Sequence, residues 1–316
     1  MKTFAFVFPG QGSQSVGMLN AWGDHQAVKL VLEEASDALQ ENLTQLIQDG
    51  PKEDLALTTN TQPVMLVAGV AAYRVWMAEV GVMPAVLAGH SLGEYSALVA
   101  AGALSLAQAA PLVRLRAQAM QDAVPVGTGA MAAVLGMDAM RVAAGCAEVT
   151  AAFGGESGEV VEAVNFNDPS QTVIAGTKAA VDKACEVLKA AGAKRALLLP
   201  VSAPFHSSLM QPAAITLRAR LEAMEMAMPQ VALINNIDVA VAVSVAEIKD
   251  ALYRQAFGPV RWVETVQAIK ALGVSTLVEC GPGKVLAGLA KRIDPELSGY
   301  SLADPAGLQE VKGNLE

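Results

Sequence analysis

Cysteine is scarce in this sequence of 316 residues, and its distribution argues against a fold held together by disulfides or by a structural metal ion. The three cysteines are Cys146, Cys185 and Cys280, which stand far apart and lack the paired spacing of metal ligands. Neither a disulfide framework nor a structural metal centre is therefore expected. The scatter of the cysteines fits a protein of the reducing cytoplasm.

Charged side chains are also few, at 17% of residues, and the net charge is −9. This balance argues against a general affinity for nucleic acid or for an anionic membrane surface. An uncharged stretch, residues 96–113, is mostly alanine with Gly102 and Pro111 inside it, so it predicts two buried helices rather than a membrane span. The N-terminal apolar run ends at Phe8, which is too short for a signal peptide. We expect a cytoplasmic protein with a large apolar core.

The most informative segment is 85–95, where a short apolar strand, a turn and a helix-like stretch follow one another. The turn, Gly89-His90-Ser91-Leu92-Gly93, has the Gly-x-Ser-x-Gly pattern of a nucleophile elbow in the required context. Glycines are needed there because a Cβ would clash in so tight a turn. The pattern predicts Ser91 as a nucleophile, with the Leu92 amide facing a developing oxyanion. An ordinary strand-to-helix turn that contains a serine is the alternative.

A serine nucleophile needs an adjacent base, and the chain has three histidines: His25, His90 and His206. His25 lies in a polar segment, and the side chain of His90 should leave the turn in a different direction from that of Ser91. His206 lies at the end of an inserted segment, where a cleft is common, so elimination favours it. Between Ser91 and His206, Asp168 and Asp182 carry no signal beyond surface charge. The sequence therefore predicts a catalytic dyad of Ser91 and His206, without a carboxylate.

A second glycine-rich loop, Phe8-Pro9-Gly10-Gln11-Gly12-Ser13-Gln14, follows the first buried strand. It lacks the ending of a P-loop, and Ser15 stands where a dinucleotide fingerprint has its third glycine. Gln11 is able instead to offer its backbone N–H to an anion, and a plain turn explains the loop equally well.

From about residue 126 the pattern changes to short strands and helices in the order βαββαβ, the ferredoxin-like split motif. This order predicts a small inserted subdomain over residues 126–199. Residues 1–125 and 200–303 then form a larger α/β part. The last residues, 304–316, are polar and predict a loosely held tail.

The elbow and the Gln11 loop occur together with four other segments, in this order along the chain: residues 8–14, 89–96, Leu115-Arg116, 164–167, Pro204-Phe205-His206 and Gly281-Pro282-Gly283-Lys284. With them the chain closely resembles the malonyl-CoA:acyl carrier protein transacylases of bacterial fatty acid synthesis, from Phe6 to about Ile293. The resemblance implies a hydrolase-like α/β core, with a parallel sheet flanked by helices, that carries a ferredoxin-like insertion. It also implies a two-step transfer of malonyl from malonyl-CoA to the phosphopantetheine thiol of acyl carrier protein, without metal or cofactor.

The resemblance implies roles for the residues that match the family's motifs. Ser91 accepts the acyl group, His206 is the base, and the backbone amides of Gln11 and Leu92 form the oxyanion hole.

Further roles follow from the same resemblance. Arg116 binds the malonyl carboxylate, which a guanidinium pairs with in a bidentate manner, whereas Arg114 is expected to be a surface arginine. Gln255 matches a glutamine whose backbone carbonyl holds the catalytic histidine, and Asn165 lies in an Asn-x-Asn segment that lines the cleft. The chain departs from the family at residues 168–170, Asp-Pro-Ser where Ser-Pro-Gly is usual.

The expected partners are malonyl-CoA and acyl carrier protein, without nucleic acid or membrane, and the chain is expected to be a monomer. Carrier proteins are acidic, so a local basic rim is needed; Lys284, Lys291 and Arg292 are candidates, although a solvated helix face explains them equally well. Two other functions stay open at this point. A thioesterase or lipase-like hydrolase shares the elbow, and a carrier-binding scaffold or a role in malonate decarboxylation or polyketide assembly is compatible with the motifs.

Overall fold

The structure, a computed structural model, describes residues 2–201 and 203–316 and divides the chain into two compact units. Unit 1 comprises Met1–Ala117, Met224–Ile248 and Thr265–Glu316, and unit 2 comprises Gln118–Ala223 and Lys249–Glu264. The chain therefore leaves unit 1 twice and returns to it twice. Residues 126–199, the predicted subdomain, belong to unit 2, which is larger than that segment. The boundaries of the subdomain at residues 126 and 199 stay a prediction.

The helices and strands are numbered in chain order. The strands are β1 (Phe4–Phe8), β2 (Val86–Gly89), β3 (Gly129–Leu135), β4 (Val161–Asp168), β5 (Gln171–Thr177), β6 (Arg195–Leu198), β7 (Ala232–Ile234), β8 (Thr276–Cys280) and β9 (Ser298–Leu302). The α-helices are α1 (Gln26–Leu39), α2 (Leu43–Asp49), α3 (Lys52–Ala56), α4 (Thr58–Glu79), α5 (Gly93–Ala100), α6 (Leu106–Asp122), α7 (Ala139–Phe153), α8 (Lys178–Ala190), α9 (Gln211–Glu222), α10 (Val245–Gln255), α11 (Trp262–Ala271), α12 (Val285–Ile293) and α13 (Pro305–Leu315). Within the described residues, no helix has both the length and the apolar character needed to cross a bilayer.

Unit 1 is built on a parallel sheet with the strand order β7-β2-β1-β8-β9. Every residue of β1, β2 and β8 is buried, and the apolar runs that the sequence shows there are typical of parallel strands covered on both faces. Phe4 and Phe6, which share one face of β1, pack edge-to-face against Trp76 of α4. This is the parallel sheet flanked by helices that the sequence predicts.

The register of this sheet brings two predicted loops together. Phe8, the last residue of β1, pairs with Gly89, the last residue of β2. The Gln11 loop and the elbow follow these two residues, so both lie at the carboxyl end of the sheet, where open α/β sheets place their ligands.

Unit 2 contains an antiparallel sheet with the strand order β4-β5-β3-β6. Helices α7 and α8 pack against each other and against the strands, and their apolar residues form one buried cluster with those of the sheet. The elements from 129 to 198 follow the order βαββαβ that the sequence predicts.

The C-terminal segment differs from the prediction of a loose polar tail. Residues 305–315 form α13, and the Asp304 side chain caps the helix by accepting from the Gly307 amide at 2.7 Å. Leu308, Val311 and Leu315 are buried. Their spacing places them on one face of the helix, and this periodicity outweighs the polar composition that suggested a tail.

We expect the substitution Leu308→Ala to lower the free energy of unfolding by roughly 2–4 kcal/mol, because it removes a buried side chain and leaves a cavity. Gln309→Ala, at an exposed position of the same helix turn, should change it by less than about 0.5 kcal/mol. Urea unfolding of both variants measures the difference. Equal stability of the two variants would show that the segment is a tail after all.

Candidate active site

The elbow connects β2 to α5 in a turn too tight for side chains at its two glycines. A Cβ added to Gly89 would lie 1.9 Å from the carbonyl carbon of Gly93, and one added to Gly93 would lie 2.0 Å from the carbonyl oxygen of Phe8. Ser91 between them has a φ of 53°, a left-handed value that is unusual for a residue with a side chain. The steric reason for the glycines is therefore the predicted one, and Ser91 is held in a strained conformation.

The Leu92 amide lies at the start of a helix. Leu92 is the N-cap residue of α5, and the amides of Gly93 and Glu94 donate to the carbonyls of His90 and Ser91. Over the described part of the chain, the Leu92 N–H makes no hydrogen bond to the protein. It is one of the unsatisfied donors with which a helix begins, and it is able to stabilise an anion.

The Gln11 loop lies directly against the elbow. A Cβ on Gly10 would approach the His90 carbonyl oxygen to 2.8 Å. The Gln11 side chain points toward α4, where its Nε2 is 3.5 Å from the Thr58 hydroxyl. The glycine-proline-glycine turn that follows β8 packs against the Gln11 loop, since a Cβ on Gly283 would lie 3.0 Å from the Ser13 hydroxyl.

Arg116 of α6 brings a buried guanidinium to Ser91, the predicted nucleophile. Its side chain is 2% exposed, its Nη2 donates to Ser91 Oγ at 3.2 Å, and its Nη1 donates to Gln62 Oε1 at 2.7 Å. The guanidinium carbon lies 5.3 Å from the centroid of the Tyr95 ring, within cation–π range. Burial lowers the pKa of Arg116, and its interaction with Tyr95 opposes that shift. A carboxylate attached to an acyl group on Ser91 would meet this donor.

Arg114 lies in the same helix and contacts other groups. Its guanidinium donates to Asn60 Oδ1 at 2.7 Å, to the Thr59 carbonyl and to the carboxylate of Glu41. Residues two apart on a helix do not share a face, which explains why one arginine reaches Ser91 and the other ties α6 to the start of α4. Arg114 was expected to be a surface arginine; its side chain is instead 20% exposed and makes three polar contacts, although none of these is to Ser91.

Unit 2 holds the predicted base. His206 is 4% exposed, and its Nδ1 lies 2.9 Å from the Gln255 carbonyl oxygen, at the end of α10. A carbonyl only accepts, so Nδ1 carries the hydrogen and Nε2 has the lone pair that a base needs. The structure thus contains the hydrogen bond expected for Gln255, and a last-turn carbonyl holds the histidine instead of a carboxylate.

Asn165 also lies in unit 2, where β4 meets the segment that follows α10. The amide of Phe166 donates to the Val260 carbonyl at 3.0 Å, and the Val260 amide donates to the Val164 carbonyl at 2.8 Å. Between these bonds, Asn165 Oδ1 is buried without a hydrogen-bond partner in the described chain. A buried acceptor of this kind is costly unless a ligand or water satisfies it.

The polar residues set aside at the sequence level have local structural partners. His25 caps α1 and contacts Glu79 at 3.2 Å. Asp168 accepts from the amide and hydroxyl of Ser170 within its own turn, and Asp182 pairs with Lys178 on α8. In the described ranges, no three His, Cys, Asp or Glu side chains lie close enough together to hold a metal ion.

Sequence reasoning missed three buried residues that surround the elbow: Gln62, Glu94 and Asn236. Gln62 follows the polar run that opens α4, and Asn236 follows β7 at the carboxyl end of the sheet. A polar residue just beyond a parallel strand is the signal that could have found Asn236.

The comparisons with known proteins cover nearly the whole chain. Residues 5–298 match the family described as an acyl transferase domain. The chain is 51% identical over 309 residues to the malonyl CoA-acyl carrier protein transacylase of Salmonella typhimurium, with 98% of each covered.

Solved structures agree with that match. An acyl-carrier-protein S-malonyltransferase from Burkholderia pseudomallei is 62% identical with a TM-score of 0.94, over 98% of this chain and 99% of that one. A malonyl-transacylase in complex with its type II PKS acyl-carrier protein is 49% identical with a TM-score of 0.95, over 99% of this chain and 100% of that one. Because these similarities extend from the first strand to the last helix, the chain belongs to the acyl transferase family.

Proposed function

We propose that this acyltransferase moves a malonyl group from malonyl-CoA to the phosphopantetheine thiol of acyl carrier protein and so supplies fatty acid synthesis. The observation that carries the proposal is the buried Arg116 guanidinium, 3.2 Å from Ser91 Oγ. An esterase or thioesterase for simple acyl groups has no use for a buried cation at this position, because its desolvation is costly. A malonyl group supplies the carboxylate that offsets this cost.

In the first step, His206 Nε2 takes the proton of Ser91 as Oγ attacks the thioester carbonyl carbon of malonyl-CoA. The amides of Gln11 and Leu92 stabilise the negative charge on the carbonyl oxygen. Collapse of the tetrahedral intermediate breaks the C–S bond, and the leaving sulfur of CoA takes the proton from His206. A malonyl ester on Ser91 remains.

In the second step, the thiol of the carrier's phosphopantetheine arm repeats the reaction in reverse. His206 takes the thiol proton, the sulfur attacks the ester carbonyl, and Ser91 recovers its proton as malonyl-carrier leaves. The hydrogen bond from His206 Nδ1 to the Gln255 carbonyl supports this role, because it fixes the tautomer in which Nε2 is the nitrogen that takes and returns the proton in both steps. The exchange is ping-pong and consumes no cofactor or metal.

The carrier and the cellular setting belong to the same proposal. Lys284, Lys291 and Arg292 are exposed on α12 and just before it, and we assign them to the rim that meets the acidic carrier. Asn165, with its buried acceptor, contributes to substrate binding. The enzyme acts in the cytoplasm as a monomer.

Mixing the purified protein with malonyl-CoA should add one malonyl group to Ser91, as measured by intact-protein and peptide mass spectrometry. The adduct should disappear when holo acyl carrier protein is added, and the Ser91→Ala variant should form none, because it lacks the nucleophile. Release of free malonate as fast as the carrier is charged would instead identify a hydrolase.

Replacing Arg116 with glutamine should lower kcat/KM for malonyl-CoA about 100-fold, or about 3 kcal/mol of transition-state stabilisation. The reason is the loss of a desolvated, charge-assisted pair with the substrate carboxylate. For acetyl-CoA, which has no such carboxylate, kcat/KM should fall much less or even rise. The ratio of the two kcat/KM values is the measurement.

Arg114→Gln is the matched control, since the same change is made two positions earlier on α6. It should lower thermal stability through the lost contacts to Asn60 and Glu41 and leave the malonyl-to-acetyl ratio unchanged. Equal effects of the two substitutions on that ratio would remove Arg116 from substrate recognition.

A further inference from the structure

We propose that Asn236 is a positioning residue that holds Ser91 in its reactive conformation by replacing one rung of main-chain pairing at the end of β2. The proposal rests on the nucleophilic role proposed for Ser91. It concerns unit 1 alone, where Asn236 and the elbow both lie.

Main-chain pairing between β2 and β7 stops just before the elbow. The paired residues are Val86 with Ala232, Leu87 with Leu233 and Ala88 with Ile234, where β7 ends. Continuing the same register by two residues places Asn236 opposite His90. The strand partner that would hold the turn is therefore absent, and a side chain stands at that position.

The side chain of Asn236 makes the two hydrogen bonds that a strand partner would make. Its Oδ1 accepts from the Ser91 amide at 2.7 Å, and its Nδ2 donates to the Gly89 carbonyl oxygen at 2.6 Å. In a parallel ladder, a residue opposite position 90 donates to the carbonyl of residue 89 and accepts from the amide of residue 91. The carboxamide of Asn236 reproduces this pattern with one donor and one acceptor, as a peptide group would.

The main chain of Asn236 has a different partner, and this second contact fixes the backbone from which the side chain extends. Its amide donates to Glu94 Oε2 at 3.0 Å, and Glu94 belongs to the first turn of α5. Asn236 is fully buried and Glu94 is 2% exposed. Asn236 thus binds Ser91 itself and also Gly89, two residues before it, and Glu94, three residues after it.

A carboxamide is the group that this position requires. Asparagine presents a donor and an acceptor at once, whereas a carboxylate only accepts and an apolar side chain does neither. Loss of either bond leaves a buried main-chain group unsatisfied. It also frees Ser91 to relax from its φ of 53°, which moves Oγ relative to the groups that act on it.

The test compares three variants by steady-state malonyl transfer and by the rate at which Ser91 acquires the malonyl group. Asn236→Ala should lower kcat about 100-fold, the loss typical of a small misplacement of a reacting atom, while KM stays within about threefold because Arg116 is untouched. Asn235→Ala is the matched control. Asn235 is buried and accepts from the Asp238 amide at 2.7 Å, away from the elbow, so its loss should lower the thermal midpoint and leave kcat within about threefold.

Asn236→Asp keeps the volume and the acceptor and gives a readout that general destabilisation would not. The carboxylate of this aspartate has no hydrogen to donate to the Gly89 carbonyl oxygen and is repelled by it. The protonated carboxyl, by contrast, again offers one donor and one acceptor. Its acylation rate, divided by that of the wild type at each pH, should therefore rise as the pH falls from 8 to 5. This variant also decides the matter if Asn236→Ala does not fold, as judged by circular dichroism.

A folded Asn236→Ala with wild-type kcat, or an Asn236→Asp rate ratio that does not change with pH, would overturn the positioning role. Wild-type protein that forms no adduct on Ser91 would instead overturn the proposed function. The two failures are therefore distinguishable in one set of reactions.

Discussion

The close approach of main chain to main chain at the ends of β1 and β2 is the constraint on which the site depends. Gly89 and Gly93 have no room for a Cβ, because the elbow folds back on itself and against the Phe8 carbonyl. Side chains elsewhere in the sheet fill the core, whereas at this point the backbone itself is packed. The orientation of Ser91 therefore follows from backbone sterics, and buried hydrogen bonds maintain it.

In each unit, neutral groups hold the candidate catalytic side chains, a task that charged groups often perform in hydrolases. The Gln255 carbonyl orients His206, Gln62 orients Arg116, and Asn236 holds the elbow. In a serine triad, a buried carboxylate orients the histidine and stabilises the imidazolium that forms when the leaving group is an amine. In the proposed reaction the leaving group is a thiolate, which departs more readily than an amine, and this is consistent with a carbonyl as the partner of His206. Arg116, the buried arginine that contacts Ser91, is then the group that pairs with the malonyl carboxylate in the proposed reaction.

The local parts of this arrangement were predictable from the sequence, and the distant parts were not. The elbow is a five-residue pattern between a strand and a helix, so the roles predicted for Ser91 and Leu92 could be read from the pattern itself. Asn236 is 145 residues away from Ser91, and an asparagine after a strand is usually read as a turn. The α13 helix was missed for another reason, since three apolar residues at helical spacing, Leu308 among them, are few in a polar segment.

The separation between Ser91 and Asn236 has a consequence for biosynthesis. A ribosome makes Ser91, the proposed nucleophile, early, together with β1 and β2, but Asn236 emerges only after residues 118–223 of unit 2 have been translated. Until then the elbow lacks the partner that replaces its missing rung, and non-local pairing of this kind forms late in folding. In the nascent chain, Ser91 is therefore present before the hydrogen bonds that position it. The proposed reactivity needs Asn236, which follows β7, and also Gln255, whose carbonyl holds His206 and which is translated later still. Acylation therefore becomes possible only after most of the chain has been made.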